Sequence, residues 1–481
     1  MRSTPGRPRA EVHSVTADRA EYAVVTVRPG PARTGQIRRW VSRAFFPADQ
    51  TVTPGWVLAV ITVGCAALAV TRLGSLGMNT FWAEDGQILY QGALTHPLHA
   101  YVEAYRGYLI TAPRVVATMV ALFPVGQAAT ANAVADAIVL GLCAALIYRA
   151  SGEHISNPWL RAAPAVVTVA CPLGQETWGS TANLQWPMFF VAFVVLLWNP
   201  RRPAPIAVGA VFVVLLALTT PFGVLLVPLA VVRVIVLGRD RGWVIPLAFL
   251  AGVAVQGVAM AVVGGRKTSS TFLPGMIERS YAAFIAGQGF LGTRDPLPWL
   301  RLGTAVVLAV LAALVLVAAS GGLRPFVIAA LAMAYSVGYF AVLTVLAGGP
   351  RGGAFFNRYH VGPFLLLAYA VTVLFDAGLP GAGRRAGQAR TADQRRLASL
   401  PRSAALVLCA VLAGSLALTV GTRWHIRDPW RQQPTWSGAL ATARAQCGRA
   451  ARTVQVPITP PSTAYNWHVT LTCAQLGQGP P

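Results

Sequence analysis

Polar and apolar positions are segregated along this chain at a scale far longer than an amphipathic period. The first 50 residues are polar, rich in Pro and Arg, and show no apolar repeat. From Trp56 onward, apolar runs alternate with polar breaks until Val420. Crossing a bilayer as a helix takes about 17–25 apolar residues. Runs approaching or reaching that length predict helices over 56–71, 128–148, 162–173, 186–198, two arms of a hairpin around 219–223, 243–263, 302–319, 324–347, 360–379 and 404–420. The fold class expected is therefore an all-α polytopic membrane protein of about 11 transmembrane helices. A polar, mixed segment over 422–481 follows, with a helical pattern at 439–449 and a strand pattern at 453–458. It reads as a small α/β module.

Composition agrees with this reading: 55% of residues are hydrophobic and 11% charged. A soluble surface carries about 25% charged residues. The net charge of +23 is not gathered on one folded unit. Much of it lies in the N-terminal arm (Arg2 to Arg43) and in one polar loop (Arg384 to Arg402), which excludes a nucleic-acid face. Arginine at alternate polar breaks is the mark of cytoplasmic loops. It predicts a bacterial cytoplasmic membrane protein with its N-terminus inside, its C-terminus outside and the bilayer as a partner. The expected domains are a disordered cytoplasmic arm (1–50), a membrane domain (51–421) and an extracytoplasmic module (422–481). The long outer loops of the membrane domain fall at 72–126, 174–186, 264–300 and 348–359. Cys447 and Cys473, both in the outer module, are expected to form a disulfide in that oxidising compartment.

The candidate chemistry sits on those outer loops. Glu84 and Asp85 are adjacent in Asn79-Thr-Phe-Trp-Ala-Glu-Asp-Gly-Gln-Ile88, just beyond the first apolar run. A carboxylate there can act as general base towards a hydroxyl. The second acid would orient the acceptor or hold a divalent cation such as Mg²⁺ or Mn²⁺. The plainer reading is two solvated loop acids. Arg106, Arg114 and Arg358-Tyr359 offer guanidinium groups suited to phosphate, or plain headgroup anchors. Tyr101, Tyr105 and Tyr108 recur at helical spacing, and short interfacial helices are expected over 98–122. Trp82, Tyr105, Glu176, Asn183, Gln185 and Trp186 are the candidate sugar-binding groups, by hydrogen bonding and stacking. Asp136 falls inside an apolar run, where an acid is costly and defaults to a functional hypothesis.

On Glu84-Asp85 in the first outer loop, the interfacial segment after it and Arg358-Tyr359 at the start of a late span, the chain resembles the GT-C fold glycosyltransferases. The closest likeness is to actinobacterial membrane proteins of that type. The resemblance implies an inverting transfer of a sugar from a polyprenyl-phosphate donor to a cell-envelope glycan or lipid acceptor. Asp85 would then be the base, with Glu84 the alternative, and Arg358 or another outer Arg would meet the leaving phosphate. A multi-span transporter or lipid flippase and a non-catalytic envelope-assembly protein remain the alternatives; the first would need charges at mid-depth, for which Asp136 and Gln256 are the candidates.

Overall fold

The computed structural model describes residues 53–237, 241–264, 275–292, 296–320, 322–346, 357–379, 392–425, 434–447, 452–460 and 466–477. The expected cytoplasmic arm (1–50) lies outside the described residues. So do most of the Arg-rich loop, 265–274 and 293–295 of the loop 264–300, and most of the loop 348–359.

Every expected apolar run is a helix. In chain order these are α1 (Gly55–Met78), α2 (Gln91–Thr95), α3 (Thr111–Val120), α4 (Ala128–Ala150), α5 (Pro158–Ala170), α6 (Gln185–Leu197) and α7 (Pro203–Ala217). They continue as α8 (Val227–Leu237), α9 (Val244–Val263), α10 (Pro296–Ala319), α11 (Leu323–Leu346), α12 (Val361–Gly378), α13 (Ala392–Thr422) and α14 (Trp436–Gln446). Strands β1 (Thr453–Pro457) and β2 (His468–Thr472) pair antiparallel, with Val454 opposite Leu471 and Val456 opposite Val469. Seven helical stretches, built on α1, α4, α9, α10, α11, α12 and α13, are long and apolar enough to cross a membrane. Of the 11 expected crossings, seven are candidates by length and composition. The other four expected spans are the shorter helices α5, α6, α7 and α8, of 13, 13, 15 and 11 residues.

The bundle is built around α6. All 13 of its residues are buried, as suits a helix that is apolar all round. Phe189 stacks on Tyr339 of α11 with ring centroids 3.9 Å apart, and Phe190 meets Tyr369 of α12 edge-on at 5.7 Å. A helix of this length reaches only about 20 Å. Its ends are completed by protein rather than by lipid headgroups. At the C-terminal end, Arg233 of α8 is buried and donates to the carbonyls of Val195, Leu196 and Trp198. Arg72 of α1 does the same for α5, donating to the carbonyls of Val169 and Cys171. Its guanidinium also lies over the Trp178 ring, 5.3 Å from the centroid. Buried carbonyls at a helix end need such donors. The first helix consequently continues past 71, with Arg72 inside it, and breaks at Gly74 (φ 64°) before a last short stretch that ends at Met78.

The helix α14 and the strand β1 fall close to the helical and strand patterns at 439–449 and 453–458, and β2 is a second strand beyond them. Cys447 and Cys473 are disulfide-bonded, with Cα atoms 5.8 Å apart. We refer to the end of the bundle that carries it as the module end.

Candidate functional site

The acidic segment begins where α1 stops. Phe81 is buried, stacked on Tyr90 (5.1 Å) and edge-on to Trp436 (5.0 Å). Trp82 and Thr459 form a parallel bridge. A π-helical turn, Asp85–Tyr90, follows and passes into α2. Successive side chains at the start of a helix point about 100° apart. The two carboxylates adjacent in sequence therefore face different surroundings.

Glu84 lines a cleft of about 200 Å³ at the module end. Its carboxylate accepts from the Tyr105 hydroxyl at 3.4 Å. Asp85 is buried and turned away from the cleft: its Oδ1 accepts from the Thr181 hydroxyl and from the Ala182 amide, both at 2.8 Å. Burial pushes the Asp85 carboxyl up to about 6, against the hydrogen bonds from Ala182 and Thr181 that favour its charged form. Its Oδ2 is buried with no hydrogen-bond partner among the described residues. Asp85 thus anchors the 180–183 turn. This corrects the expectation that Asp85 is the group facing substrate.

That turn belongs to the segment between α5 and α6, and α4 holds it from the other side. Asp136 Oδ2 accepts from the Gly179 amide at 2.8 Å, and Asn132 Nδ2 donates to the Gly179 carbonyl at 3.4 Å. The intramembrane acid is a fastener for this segment. So is Gln256 of α9, whose amide both accepts from the Leu109 N–H (3.1 Å) and donates to the Leu109 carbonyl (3.2 Å).

Leu109 follows a tight turn that presents three cleft groups. Tyr105 and Tyr108 exchange both backbone hydrogen bonds, at 2.8 and 3.2 Å. Arg106 and Gly107 between them have φ of 53° and 91°. Positive φ at both central residues defines a type I′ turn, for which glycine at the second position is favourable. Tyr105, Arg106 and Tyr108 all line the cleft. The helical spacing of the tyrosines is therefore not expressed as a helix. Tyr101 lies in a separate 3₁₀ turn and donates to Thr118 at 2.9 Å. Within 98–122 the one α-helix is α3.

On the far wall are Arg358 and Tyr359, just before α12. The Arg358 amide donates to Glu176 Oε1 at 3.1 Å, and its guanidinium lies over the Tyr359 ring, 5.6 Å from the centroid. Tyr359 packs edge-on to Trp186 at 5.0 Å. Trp186 donates from its indole to Asn183 Oδ1 at 3.0 Å. Asn183, Gln185 and Trp186 reach the cleft from the N-terminal end of α6. The Gln185 side chain hydrogen-bonds Tyr108. Its Oε1 is buried with no partner among the described residues, an acceptor left for a ligand hydroxyl. The remaining wall is apolar: Ile110, Pro221, Phe222, Leu343 and Leu346. Leu346, at the end of α11, is 45% exposed and stands at the rim.

Of the sequence candidates, Glu84, Tyr105, Arg106, Asn183, Gln185, Trp186, Arg358 and Tyr359 converge on this cleft. Arg114 does not: it is buried on α3 and engages Glu103, through its carbonyl at 3.2 Å and its carboxylate at 3.5 Å. Trp82 is buried against the module, and Glu176 is a support for Arg358. Tyr108, Phe222, Leu343 and Leu346 were missed as site residues. The first had a signal, its spacing from Tyr105; the leucines had none, because an apolar residue in a span looks like any lipid-facing one. Among the described residues no group of three His, Cys, Asp or Glu side chains could hold a metal ion. Among the described residues the cleft presents one carboxylate, with Asp85 committed elsewhere, and these residues do not fit the divalent cation that the paired acids suggested.

Compared with known proteins, the chain matches no family model, no curated protein and no solved structure.

Proposed function

We propose that the protein is a membrane glycosyltransferase. It moves a sugar from a polyprenyl-phosphate donor to a cell-envelope acceptor, with inversion, at the module end. The observation that carries this reading is the composition of the cleft wall. One carboxylate and two guanidinium groups line it together with Trp, Tyr, Asn and Gln side chains, and the rest of the lining is apolar and includes the exposed Leu346. Such a cleft suits a ligand with a sugar, an anion and a hydrocarbon chain.

In this reaction Glu84 accepts the proton of the acceptor hydroxyl as its oxygen bonds to the anomeric carbon. The bond from that carbon to the phosphate oxygen breaks, and polyprenyl phosphate leaves as an anion beside Arg358 and Arg106. Positioned cations at developing phosphate charge are among the largest contributors to such catalysis. Trp186 and Tyr359 offer faces for the sugar ring, and the open Gln185 acceptor receives a sugar hydroxyl. The disulfide in the adjoining module supports an oxidising compartment on this side. A transport reading loses its support, since Asp136 and Gln256 are committed to the backbone of Gly179 and Leu109.

The test is Glu84→Gln in purified protein supplied with polyprenyl-phosphate sugars and envelope acceptors. Loss of a general base costs about 10²–10⁴-fold in turnover. Turnover within a few-fold of wild type would remove Glu84 from the role.

A further inference from the structure

The residues of 79–91 and of the C-terminal module that meet are more than 350 positions apart in the chain, yet the two are built into one another. Ahead of Glu84, three backbone hydrogen bonds join them: Trp436 N–H to the Asn79 carbonyl (2.7 Å), Thr459 N–H to the Phe81 carbonyl (3.2 Å) and Ala83 N–H to the Thr459 carbonyl (2.6 Å). Beyond Glu84 the joint continues through side chains. Gln87 Oε1 accepts from His468 N–H at 3.4 Å, and Gln91 Oε1 from Thr470 N–H at 2.7 Å. The free-edge amides of β2 are thus closed by two glutamines one helical turn apart, which removes an open strand edge. Just ahead of Gln87, Gly86 meets the module so closely that a Cβ there would lie 2.5 Å from Ile458 Cδ1 and 3.0 Å from Val469 Cγ2.

Glu84 and Asp85 lie between these two gripped stretches, and of the two it is Glu84 that lines the cleft. Among the described residues the module contributes none to the cleft lining. A lone two-stranded hairpin is marginal in water. This one is closed by Cys447–Cys473 and buries Val456, Ile458, Val469 and Leu471.

We infer that the module is a positioning clamp: by holding Phe81–Ala83 and Gly86–Gln91 it sets where the Glu84 carboxylate sits. Gly86, Gln91 and Ile458 are then positioning residues for the reaction proposed above, on which this inference rests. A general base must sit within about 2.6–3.2 Å of the oxygen whose proton it takes. Displacement by about 1 Å costs on the order of 100-fold.

The experiment uses the full chain in nanodiscs, with Gly86→Ala, Gly86→Ala/Ile458→Ala, Gln91→Met and Cys447→Ser/Cys473→Ser. Hydrogen–deuterium exchange over 79–91 is read alongside kcat and KM for the donor. The expected result is faster exchange over 79–91 in Gly86→Ala, Gln91→Met and the cysteine double variant, with α4 peptides unchanged. Turnover in those three falls on the order of tenfold or more with little change in KM, and Gly86→Ala/Ile458→Ala recovers both readouts. Unchanged exchange in the cysteine and Gln91 variants overturns the clamp, as does failure of the second substitution to restore Gly86→Ala. Should Gly86→Ala fail to insert, the Gln91 and cysteine variants decide alone. Exchange that moves as expected in a wild type lacking transfer activity sinks the transferase reading and keeps the clamp as a structural joint. Transfer by wild type with all three variants unimpaired does the reverse.

Discussion

Glu84 and Asp85 share chemistry and differ in surroundings, and the surroundings decide their roles. Glu84 is half-buried, within reach of Tyr105 and the cleft; Asp85 is sealed under the 180–183 turn. A buried carboxyl raised to about 6 holds a proton that the unfolded chain has released at a pH near its ordinary value of about 4. Between those two values the folded state binds more protons than the unfolded one. Stability therefore falls as pH rises through that window, and levels off above about 6. The full span is on the order of 3 kcal/mol. Asp85→Asn keeps an acceptor for Thr181 and Ala182 and removes the ionisation. Its melting temperature should gain on that of wild type as pH is raised from 4 to 6, then run parallel to it. A pH-independent difference between the two proteins would contradict this account. The same variant should retain most transfer activity, in contrast to Glu84→Gln.

At the scale of elements, the short helices need explaining. α5 and α6 are each 13 residues, and both end on carbonyls received by a buried arginine from another helix. Leaving a buried polar group unpaired costs about 1–3 kcal/mol. Arg233→Met should therefore destabilise the bundle by roughly 2–4 kcal/mol, read as a lower thermal midpoint in detergent. The cleft lies at the other end of α6, so ligand affinity in the surviving folded protein should hold. An unchanged midpoint would show that the guanidinium is not the cap. The turn at Arg106-Gly107 is the other instructive element. The hydrophobic pattern there suggests an interfacial helix, but positive φ at two successive residues closes a hairpin instead and swings Arg106 into the cleft.

At the scale of the molecule, the cleft is assembled from the segment after α1, the 105–110 hairpin, the start of α6, the α7–α8 turn and the facing ends of α11 and α12. No pair of neighbouring elements contains it. Its cations outnumber its carboxylate, which suits an anionic ligand in place of a metal ion. Transfer activity should then persist in EDTA at the wild-type rate. A loss reversed by Mg²⁺ or Mn²⁺ would require a second carboxylate to enter the cleft.

Local sequence determined a good deal of this protein. The apolar runs located the long helices of the bundle, because the cost of exposing apolar side chains and unpaired backbone depends on composition over a short window. The same reasoning located the acidic segment just beyond the first span, the helix and strand of the module, and the cysteine pair. Tertiary structure decided the rest. It separated Glu84 from Asp85, turned Arg114 inward to Glu103, and made fasteners of Asp136 and Gln256. It also placed the module behind the acidic segment. The reason is physical: whether a polar side chain is a reagent or a strut depends on which partners reach it. Here those partners, Thr181 for Asp85, Gly179 for Asp136 and Thr459 for Ala83, lie 43 to more than 370 residues away in the chain.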